Sequence, residues 1–269
     1  MTSFHIPTMA EMTASGQTPD VLFWVGCAGS FDDRAKRITK AIARILHASE
    51  TSFAVLGQEE SCTGDPAKRA GNEFLYQMQA AQNIATLNGY SIKRIITGCP
   101  HCFNALKNEY PELGGNYEVL HHTQFIRKLI ETGKLRMSGK APFKGRRITF
   151  HDPCYLGRSN GEYLAPREVI AKLDGELLEM RRCKQNAMCC GAGGAQMFKE
   201  AESGDREVNH ARTDQALETQ PEVIATGCPF CNTMMTDGVK NAEKESNVEV
   251  KDVAELIAEA ADLLDAPTP

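Results

Sequence analysis

Residues 95–102 read IITGCPHC, and residues 224–231 read IATGCPFC. Each stretch joins a short apolar run, which predicts a buried strand, to a turn that holds two cysteines separated by two residues. The proline of the turn restrains the backbone, and this spacing lets two thiols reach one metal ion or cluster. The two stretches lie 129 positions apart, so one chain contains the same combination of strand and cysteine pair twice.

The repetition extends to the other cysteines and to the segments beside them. Blocks at 27, 62–64, 99–102 and 117–126 recur in the same order between 127 and 131 positions later. The Cys-Thr-Gly of 62–64, for example, is matched by the Cys-Cys-Gly of 189–191. Four ordered matches predict an internal duplication of about 125 residues per half, which is within the usual size range of a domain.

Short apolar runs alternate with helical patterns in both halves. In the first half, VLFWV (21–25) predicts a strand, and Asp32 begins a helix with an apolar stripe. Asp65, followed by proline, predicts the start of another helix, whose stripe includes Phe74 and Met78. Alternating strands and helices favour parallel sheets. We therefore predict an α/β fold with an internal duplication: two similar halves, each with a small, mostly parallel sheet flanked by helices.

The chain is expected to divide at residues 133–145, GKLRMSGKAPFKG, because a stretch rich in Gly, Lys and Pro is typical of a linker. The first half is then 20–132 and the second half is 146–265. Residues 1–19 and the last four residues are expected to be loosely held tails.

The composition limits the classes of function. The 269 residues carry a net charge of −5, which argues against nucleic acid as the main partner because phosphate binding requires a basic surface. We find neither a signal peptide nor an apolar run near the roughly 20 residues that cross a bilayer. We therefore expect a cytoplasmic protein that is not itself transmembrane. In that reducing environment, its ten cysteines are expected to bind metal or do redox chemistry.

Three loops of the second half supply five thiols: Cys154, Cys189, Cys190, Cys228 and Cys231. Each loop follows a predicted strand, so these thiols are expected to gather at the carboxyl edge of a parallel sheet. Zinc takes four ligands, and five thiols therefore favour a multinuclear iron–sulfur cluster. Neighbouring glycines let the backbone approach a cluster and donate N–H groups to its sulfur atoms: Gly191, Gly193 and Gly194.

The first half supplies four thiols: Cys27, Cys62, Cys99 and Cys102. Thr63 stands where the second half has Cys190. Four thiolates suit either a cubane iron–sulfur cluster or a zinc ion, and both remain open.

Two further residues near the motifs need an interpretation. Cys183 lies outside the repeat, and we expect it to act as a small apolar side chain. His151 lies three positions before Cys154. It is a candidate proton donor or a hydrogen-bonding support for the loop, and we favour the second role.

The pattern Cys-x34-Cys-Cys-Gly-x36-Cys-x2-Cys of 154–231 resembles the CCG cysteine-rich domain of heterodisulfide reductase catalytic subunits. The resemblance covers roughly 20–265 and includes VLFWVGCAGSFDDRAKR and HDPCYLGR. Similar domains occur in iron–sulfur subunits of glycolate and lactate oxidation, of anaerobic glycerol-3-phosphate dehydrogenase, and of membrane oxidoreductases that accept electrons from electron-transfer flavoprotein. The chain looks most like the heterodisulfide-reductase-related iron–sulfur proteins of the flavoprotein-linked type.

The resemblance implies a non-cubane [4Fe–4S] cluster held by all five second-half cysteines. It implies a second [4Fe–4S] cluster or zinc in the first half, where Thr63 departs from the complete pattern. The expected function is that of an iron–sulfur electron-transfer subunit of an oxidoreductase. Electrons would pass between a flavoprotein or ferredoxin-type iron–sulfur partner and an acceptor. The expected location is cytoplasmic or peripheral to a membrane complex, where a membrane-bound quinone-reducing subunit is a further expected partner.

Two alternatives remain. One is a disulfide (heterodisulfide-type) or quinone reductase that binds its substrate at the second-half cluster. The other is a zinc-stabilised scaffold that docks redox partners. Iron content separates the scaffold from both redox functions.

Overall fold

The computed structural model of the protein describes residues 5–200 and 203–264. The first four residues of the predicted N-terminal tail, residue 265 and the predicted C-terminal tail lie outside the described residues.

Each half contains a parallel sheet of four strands, with order β2-β1-β3-β4 in the first and β6-β5-β7-β8 in the second. The strands are β1 (Val21–Trp24), β2 (Phe53–Ala54), β3 (Arg94–Thr97), β4 (Glu118–His121), β5 (Arg147–Phe150), β6 (Glu176–Leu178), β7 (Val223–Thr226) and β8 (Glu249–Asp252). The two strand orders are equivalent, and the predicted α/β fold with two similar halves is confirmed.

Helices flank both sheets. They are α1 (Met9–Ala14), α2 (Gly26–Phe31), α3 (Asp33–Ala48), α4 (Asp65–Arg69), α5 (Glu73–Gly89), α6 (Pro100–Asn104), α7 (His122–Glu131), α8 (Leu164–Ile170), α9 (Val208–Leu217), α10 (Pro229–Asn241) and α11 (Val253–Ala260). Shorter 3-10 turns occur at Gly57–Glu59, Tyr110–Leu113, Ala171–Leu173, Lys184–Asn186 and Gln196–Phe198, and a π-helical turn at Ala105–Glu109. Among the described residues, no helix is both long enough and apolar enough to cross a membrane.

The helix predicted to begin at Asp65 is interrupted. Helix α4 ends at Arg69, and Asn72 then caps α5 by accepting a hydrogen bond from the backbone N–H of Leu75. This new start changes which face of α5 meets the sheet. The prediction that Phe74 and Met78 belong to the buried stripe is therefore wrong, because they are 76% and 54% exposed. The buried residues are Tyr76, Ala80, Asn83, Ile84 and Leu87.

The N-terminal segment packs against the first half. Thr8 caps α1, and Met9 and Met12 are buried in the core. The backbone N–H of Val55 donates to the carbonyl of Pro7 at 3.0 Å, and Met9 donates back to Val55 at 2.9 Å. The expectation of a loosely held segment is wrong for these residues, because they extend the pairing beside β2 and cover apolar surface.

One hydrophobic core joins the two halves. Ile42 and Phe125 of the first half lie in the same buried cluster as Phe150 and Leu256 of the second. The segment predicted as a linker also contributes to this cluster, through the completely buried Phe143. The halves therefore pack directly against each other.

Polar contacts also cross between the halves. Arg34 on α3 donates hydrogen bonds of 2.6 and 2.7 Å to the carboxylate of Glu255 on α11. The ring Nε2 of His122 lies 2.9 Å from Oδ1 of Asp252, and both side chains are fully buried. These contacts and the common core fix the position of one sheet edge relative to the other.

Candidate metal centre

The two Cys-x2-Cys pairs lie just beyond the carboxyl ends of β3 and β7, as the sequence predicts. Cys99 follows β3 and is the N-cap of α6, while Cys228 follows β7 and is the N-cap of α10. A proline follows each of them at the first helical position, where its missing N–H costs nothing. The two Cys-x2-Cys turns are therefore the first turns of helices, which place both thiols of a pair at one end.

The five thiols of the second half form one continuous group, here called the second-half set: Cys154, Cys189, Cys190, Cys228 and Cys231. The Sγ atoms of Cys190 and Cys231 are 3.3 Å apart. Cys154 contacts Cys189, and Cys231 also contacts Cys228. The fold thus gathers thiols that are up to 77 positions apart in the sequence.

The glycine loop supplies backbone donors to the second-half set. Gly191 adopts a φ of +94°, and its N–H donates to the Sγ of Cys189 at 3.3 Å. A Cβ at Gly191 would lie 3.2 Å from the Cβ of Val208 and 3.3 Å from the Cε of Met234. Both the left-handed backbone and the close neighbours therefore require glycine. Gly194 also has a positive φ, whereas Gly193 lies beside the ring of His101.

The four thiols of the first half form the first-half set: Cys27, Cys62, Cys99 and Cys102. Cys27 contacts Cys62, and Cys99 contacts Cys102. Buried Thr63 lies with its Oγ1 3.9 Å from the Sγ of Cys102. This contact is the counterpart of the one between Cys190 and Cys231, so a hydroxyl takes the place of the fifth thiol.

Replacing the hydroxyl of Thr63 by a thiol tests whether Thr63 and Cys190 occupy equivalent positions. In a Thr63→Cys variant prepared without oxygen, we expect the first-half set to bind the same type of centre as the second-half set, because the new thiol occupies the equivalent position. Iron and acid-labile sulfide per chain and the electron paramagnetic resonance (EPR) spectrum measure the change. A Thr63→Ser variant is the matched control and should keep the wild-type spectrum. A spectrum of Thr63→Cys identical to that of the serine variant would contradict the equivalence.

The two sets touch each other. The Sγ of Cys99 lies within 4.8 Å of the Sγ of Cys228, its counterpart in the repeat. Nδ1 of His101 lies 3.8 Å from the Sγ of Cys99 and 4.0 Å from the Sγ of Cys228. These three atoms lie within 4.8 Å of one another. Sites held by the two halves would consequently be immediate neighbours.

The electrostatics of the sets disfavour thiolates unless a cation is bound. Contacts with Cys190 and Cys228, together with burial, raise the pKa of Cys231 well above its ordinary value. Burial also raises the pKa of Cys228; Cys99 and Cys190 act in the same direction, whereas Cys231 lowers it. So many buried thiolates would repel one another in a medium of low dielectric constant. Metal binding removes this penalty because it deprotonates the thiols and neutralises their charge.

A buried cation already lies beside the second-half set. Arg212 on α9 is fully buried, and its Nε donates to Nδ1 of His151 at 3.0 Å. A ring nitrogen of His151 and the Sγ atoms of Cys190 and Cys231 lie within 4.8 Å of one another. Burial lowers the pKa of Arg212 to about 10, so the guanidinium remains charged at neutral pH.

This cation lacks a complete set of partners. Nη2 of Arg212 has no hydrogen-bond partner within the described part of the chain. The carboxylate of Asp152 attracts Arg212 but is itself held by two hydrogen bonds from Arg167, at 2.7 and 2.9 Å. Nη1 of Arg212 donates to the carbonyl of Arg182 at 2.8 Å and to Oε1 of Gln215 at 3.0 Å, and both acceptors are neutral. A buried charge without an anion of its own is costly. An anionic iron–sulfur centre on the second-half set would compensate it, so the residues present fit such a group.

In the first half, the positions equivalent to Arg212 and His151 hold uncharged residues. Asn83 corresponds to Arg212 in the repeat, and it donates to the carbonyl of Cys62 at 3.0 Å and to the hydroxyl of Tyr110 at 3.1 Å. Trp24 corresponds to His151. The two halves thus differ in buried charge as well as in the number of thiols.

His151 is buried and neutral. Burial lowers its pKa to about 3, and the charge of Arg212 acts in the same direction. Because Nδ1 accepts the hydrogen bond from Arg212, the ring proton is on Nε2. This arrangement favours the hydrogen-bonding role predicted for His151 over proton transfer. Cys183 lies apart from both sets, near Glu179.

An apolar cavity of about 280 Å³ opens beside the first-half set. Cys27 and Phe31 line one side, while Met197, Phe198 and Phe230 line the other. Phe31 and Phe198 are 84% and 62% exposed, so the cavity communicates with solvent. Its volume is near the lower limit for typical small-molecule sites, so the cavity could hold one ring system.

Sequence reasoning missed Arg212 and the place of His101 between the sets. An arginine on a polar helix ordinarily lies at the surface, and only its alignment with Asn83 distinguishes it. The position of His101 depends on how the halves face each other, which no motif encodes.

A duplicated α/β fold with a cysteine set at the carboxyl edge of each sheet defines a cysteine-rich metal-site protein. The model of the CCG family, described as "Cysteine-rich domain", matches residues 21–107 and 148–236. This chain belongs to that family, with one copy of the domain in each half.

Curated relatives are longer than this chain. It is 47% identical over 251 residues to the "EtfAB:quinone oxidoreductase" of Syntrophomonas wolfei, covering 91% of this chain and 35% of that protein. It is 46% identical over 257 residues to the "Probable iron-sulfur-binding oxidoreductase FadF" of Bacillus subtilis, covering 95% and 36%. A component of the dihydromethanophenazine:CoB–CoM heterodisulfide reductase of Methanosarcina barkeri is 35% identical over 253 residues, covering 91% and 59%. The chain thus spans about a third of the length of the first two relatives.

Among solved structures, a hypothetical protein from Helicobacter pylori is similar in fold. It has a TM-score of 0.59 with 8% identity, over 91% of this chain and 49% of that one. At this identity the likeness concerns the fold alone.

Proposed function

We propose that this chain is the iron–sulfur electron-transfer part of an oxidoreductase. The second-half set would hold a non-cubane [4Fe–4S] cluster through all five thiols, and the first-half set a second [4Fe–4S] cluster or a zinc ion. The observation that carries the proposal is that the Sγ atoms of Cys99 and Cys228 lie within 4.8 Å of each other, because it makes two metal sites neighbours. Adjacent centres suit transfer of single electrons through the chain.

Each group around the second-half set has a role in this proposal. When bound, the cluster supplies a one-electron redox centre whose potential depends on charge, hydrogen bonds to sulfur and burial. Arg212 places a positive charge where the anionic centre needs compensation, and its hydrogen bond fixes the tautomer of His151. The N–H of Gly191 donates to the Sγ of Cys189. The almost complete burial of Cys190, Cys228 and Cys231 excludes water.

The names of the relatives suggest the partners. The relative in Syntrophomonas wolfei is named for EtfAB and for quinone, and a third of its length corresponds to this chain. We propose that an electron-transfer flavoprotein or a ferredoxin-type protein donates electrons to this chain. A membrane-bound quinone-reducing unit would accept them, which would place the chain on the cytoplasmic side of a membrane complex.

A specific observation also favours a second candidate. The apolar cavity could hold a ring-sized ligand, such as a quinone, against Cys27 of the first-half set, whereas the sequence predicts that a reductase would bind its substrate at the second-half cluster. In that case the chain itself would reduce a decyl-quinone or a dithiol-derived disulfide. Turnover of either compound by the isolated, metal-loaded chain would favour the reductase over the electron relay.

Metal analysis tests the proposal. The chain is purified and reconstituted without oxygen, and iron, acid-labile sulfide and zinc are measured per chain. We expect about eight irons, or about four irons with one zinc. The first result would put a redox cluster in both halves, and the second would make the first half structural. Zinc without iron would overturn the redox function and leave the docking scaffold.

A further inference from the structure

We propose that His101 tunes both metal centres at once, by donating one shared N–H hydrogen bond to a thiolate of each set. This inference rests on the proposed function. It adds that the side chain of His101 adjusts the reduction potentials of the metal centres in both halves.

The geometry places one ring nitrogen between two acceptors. Nδ1 of His101 is 3.8 Å from the Sγ of Cys99 and 4.0 Å from the Sγ of Cys228, and both distances are within hydrogen-bonding range for sulfur. Metal-bound thiolates carry no proton and only accept hydrogen bonds. The proton of a neutral ring is therefore favoured on Nδ1, where two acceptors compete for it.

The ring is held in this position from both sides. Its centroid is 4.6 Å from that of Tyr155, and Phe230 meets it edge-on at 5.4 Å. The Nε2 end faces Gly193, where a Cβ would lie 3.7 Å away. The side chain is only 8% exposed, so few other orientations are open to it.

The repeat shows that one donor serves both halves. Phe230 occupies the position of His101 in the second Cys-x2-Cys turn. Its ring packs against His101 but has no N–H to offer, so it supplies no equivalent bond to either set. Hydrogen bonds to ligand sulfur raise the reduction potential of an iron–sulfur centre because they stabilise the more negative reduced state. Loss of His101 should accordingly lower the potential of every redox centre that Cys99 or Cys228 helps to hold.

The test uses the whole chain, reconstituted without oxygen. His101→Phe, which copies the other half, should keep the wild-type iron content. It should shift the reduction equilibrium about tenfold towards the oxidised state, which is about 59 mV for a one-electron couple. Potentials are read from redox titrations followed by EPR. His101→Gln keeps a side-chain N–H, so its reduction potential should lie between those of the wild type and His101→Phe. Tyr155→Phe, which keeps the ring contact, should titrate like the wild type.

The outcomes separate this inference from the proposed function. A wild-type chain without iron would remove the proposed function itself. With iron present, equal potentials in wild type and His101→Phe would overturn the hydrogen-bonding role. Loss of metal from both His101→Phe and His101→Gln would also overturn it, because His101 would then be a ligand.

Discussion

A double Cys228→Ser/Cys231→Ser variant should lose about four irons and four sulfides per chain relative to the wild type. These two residues provide the Cys-x2-Cys pair at the start of α10, and both are buried within the second-half set. Serine keeps the shape but is a poor ligand for iron, and three thiols would remain. Iron and sulfide analysis, with the visible absorbance of the reconstituted protein, measures the loss.

The chain offers a matched control for this variant. Cys183 is partly buried and outside both sets, so Cys183→Ser should keep the full iron content. The far-ultraviolet circular dichroism of the double variant should match that of the metal-free wild type, since most of the core lies elsewhere. Full retention of iron by the double variant would mean that the second-half set is not the cluster site.

Replacing Arg212 by methionine should destabilise the loaded chain more than the metal-free chain. In the metal-free chain, Arg212→Met removes a buried charge whose Nη2 has no partner among the described residues. The substitution also takes a hydrogen-bond donor away from three acceptors, Nδ1 of His151, the carbonyl of Arg182 and Oε1 of Gln215. We expect the free energy of unfolding of the metal-free chain to fall by about 1–3 kcal/mol, because buried acceptors without a donor are costly. In the loaded chain the same substitution removes the counter-charge of the cluster. We expect weaker iron retention and a potential lower by about 60 mV, a tenfold change for one electron.

Arg167→Met is the control for charge burial alone. Arg167 forms paired hydrogen bonds with Asp152 and also binds Glu179, so its removal leaves a buried carboxylate unpaired. We expect the free energy of unfolding of this variant to fall by about 3–5 kcal/mol in both the loaded and the metal-free form. Denaturant unfolding of loaded and metal-free samples, together with redox titration, makes the comparison. An equal loss of stability for Arg212→Met in the two forms, with an unchanged potential, would refute the role assigned to Arg212.

The places of the strands along the chain and the locations of the cysteines that directly follow them can be predicted from local sequence. Apolar runs such as 147–150 and 223–226 have few alternatives to a buried parallel strand, and cysteines directly after them must lie at its carboxyl edge. The duplication adds a second, independent copy of each signal. For this reason the α/β fold was predictable.

The face of α5 that packs against the sheet was not predictable in the same way. A competing cap at Asn72 decides which residues face the sheet, and the apolar Phe74 and Met78 remain outside. The packing of one half on the other was equally hidden. Each surface of that interface resembles an ordinary buried helix face, so nothing local says that Cys99 would meet Cys228. The domain bounds remain predictions, and so do the ligand roles of the thiols, which the variants above address.

Cys99 and Cys228 occupy equivalent positions in the repeat and lie close together. This arrangement also bears on how the two halves could come to differ. In a symmetric dimer of single-motif chains, every substitution appears twice, so a residue on the two-fold axis meets its own copy. There, a histidine at position 101 would face a second histidine, and a threonine at position 63 would remove the fifth ligand from both sites. Fusion into one chain lifts this restriction. One site can lose a ligand and gain a shared donor while the other keeps the complete motif, which makes division of labour between two copies of one fold accessible by single mutations.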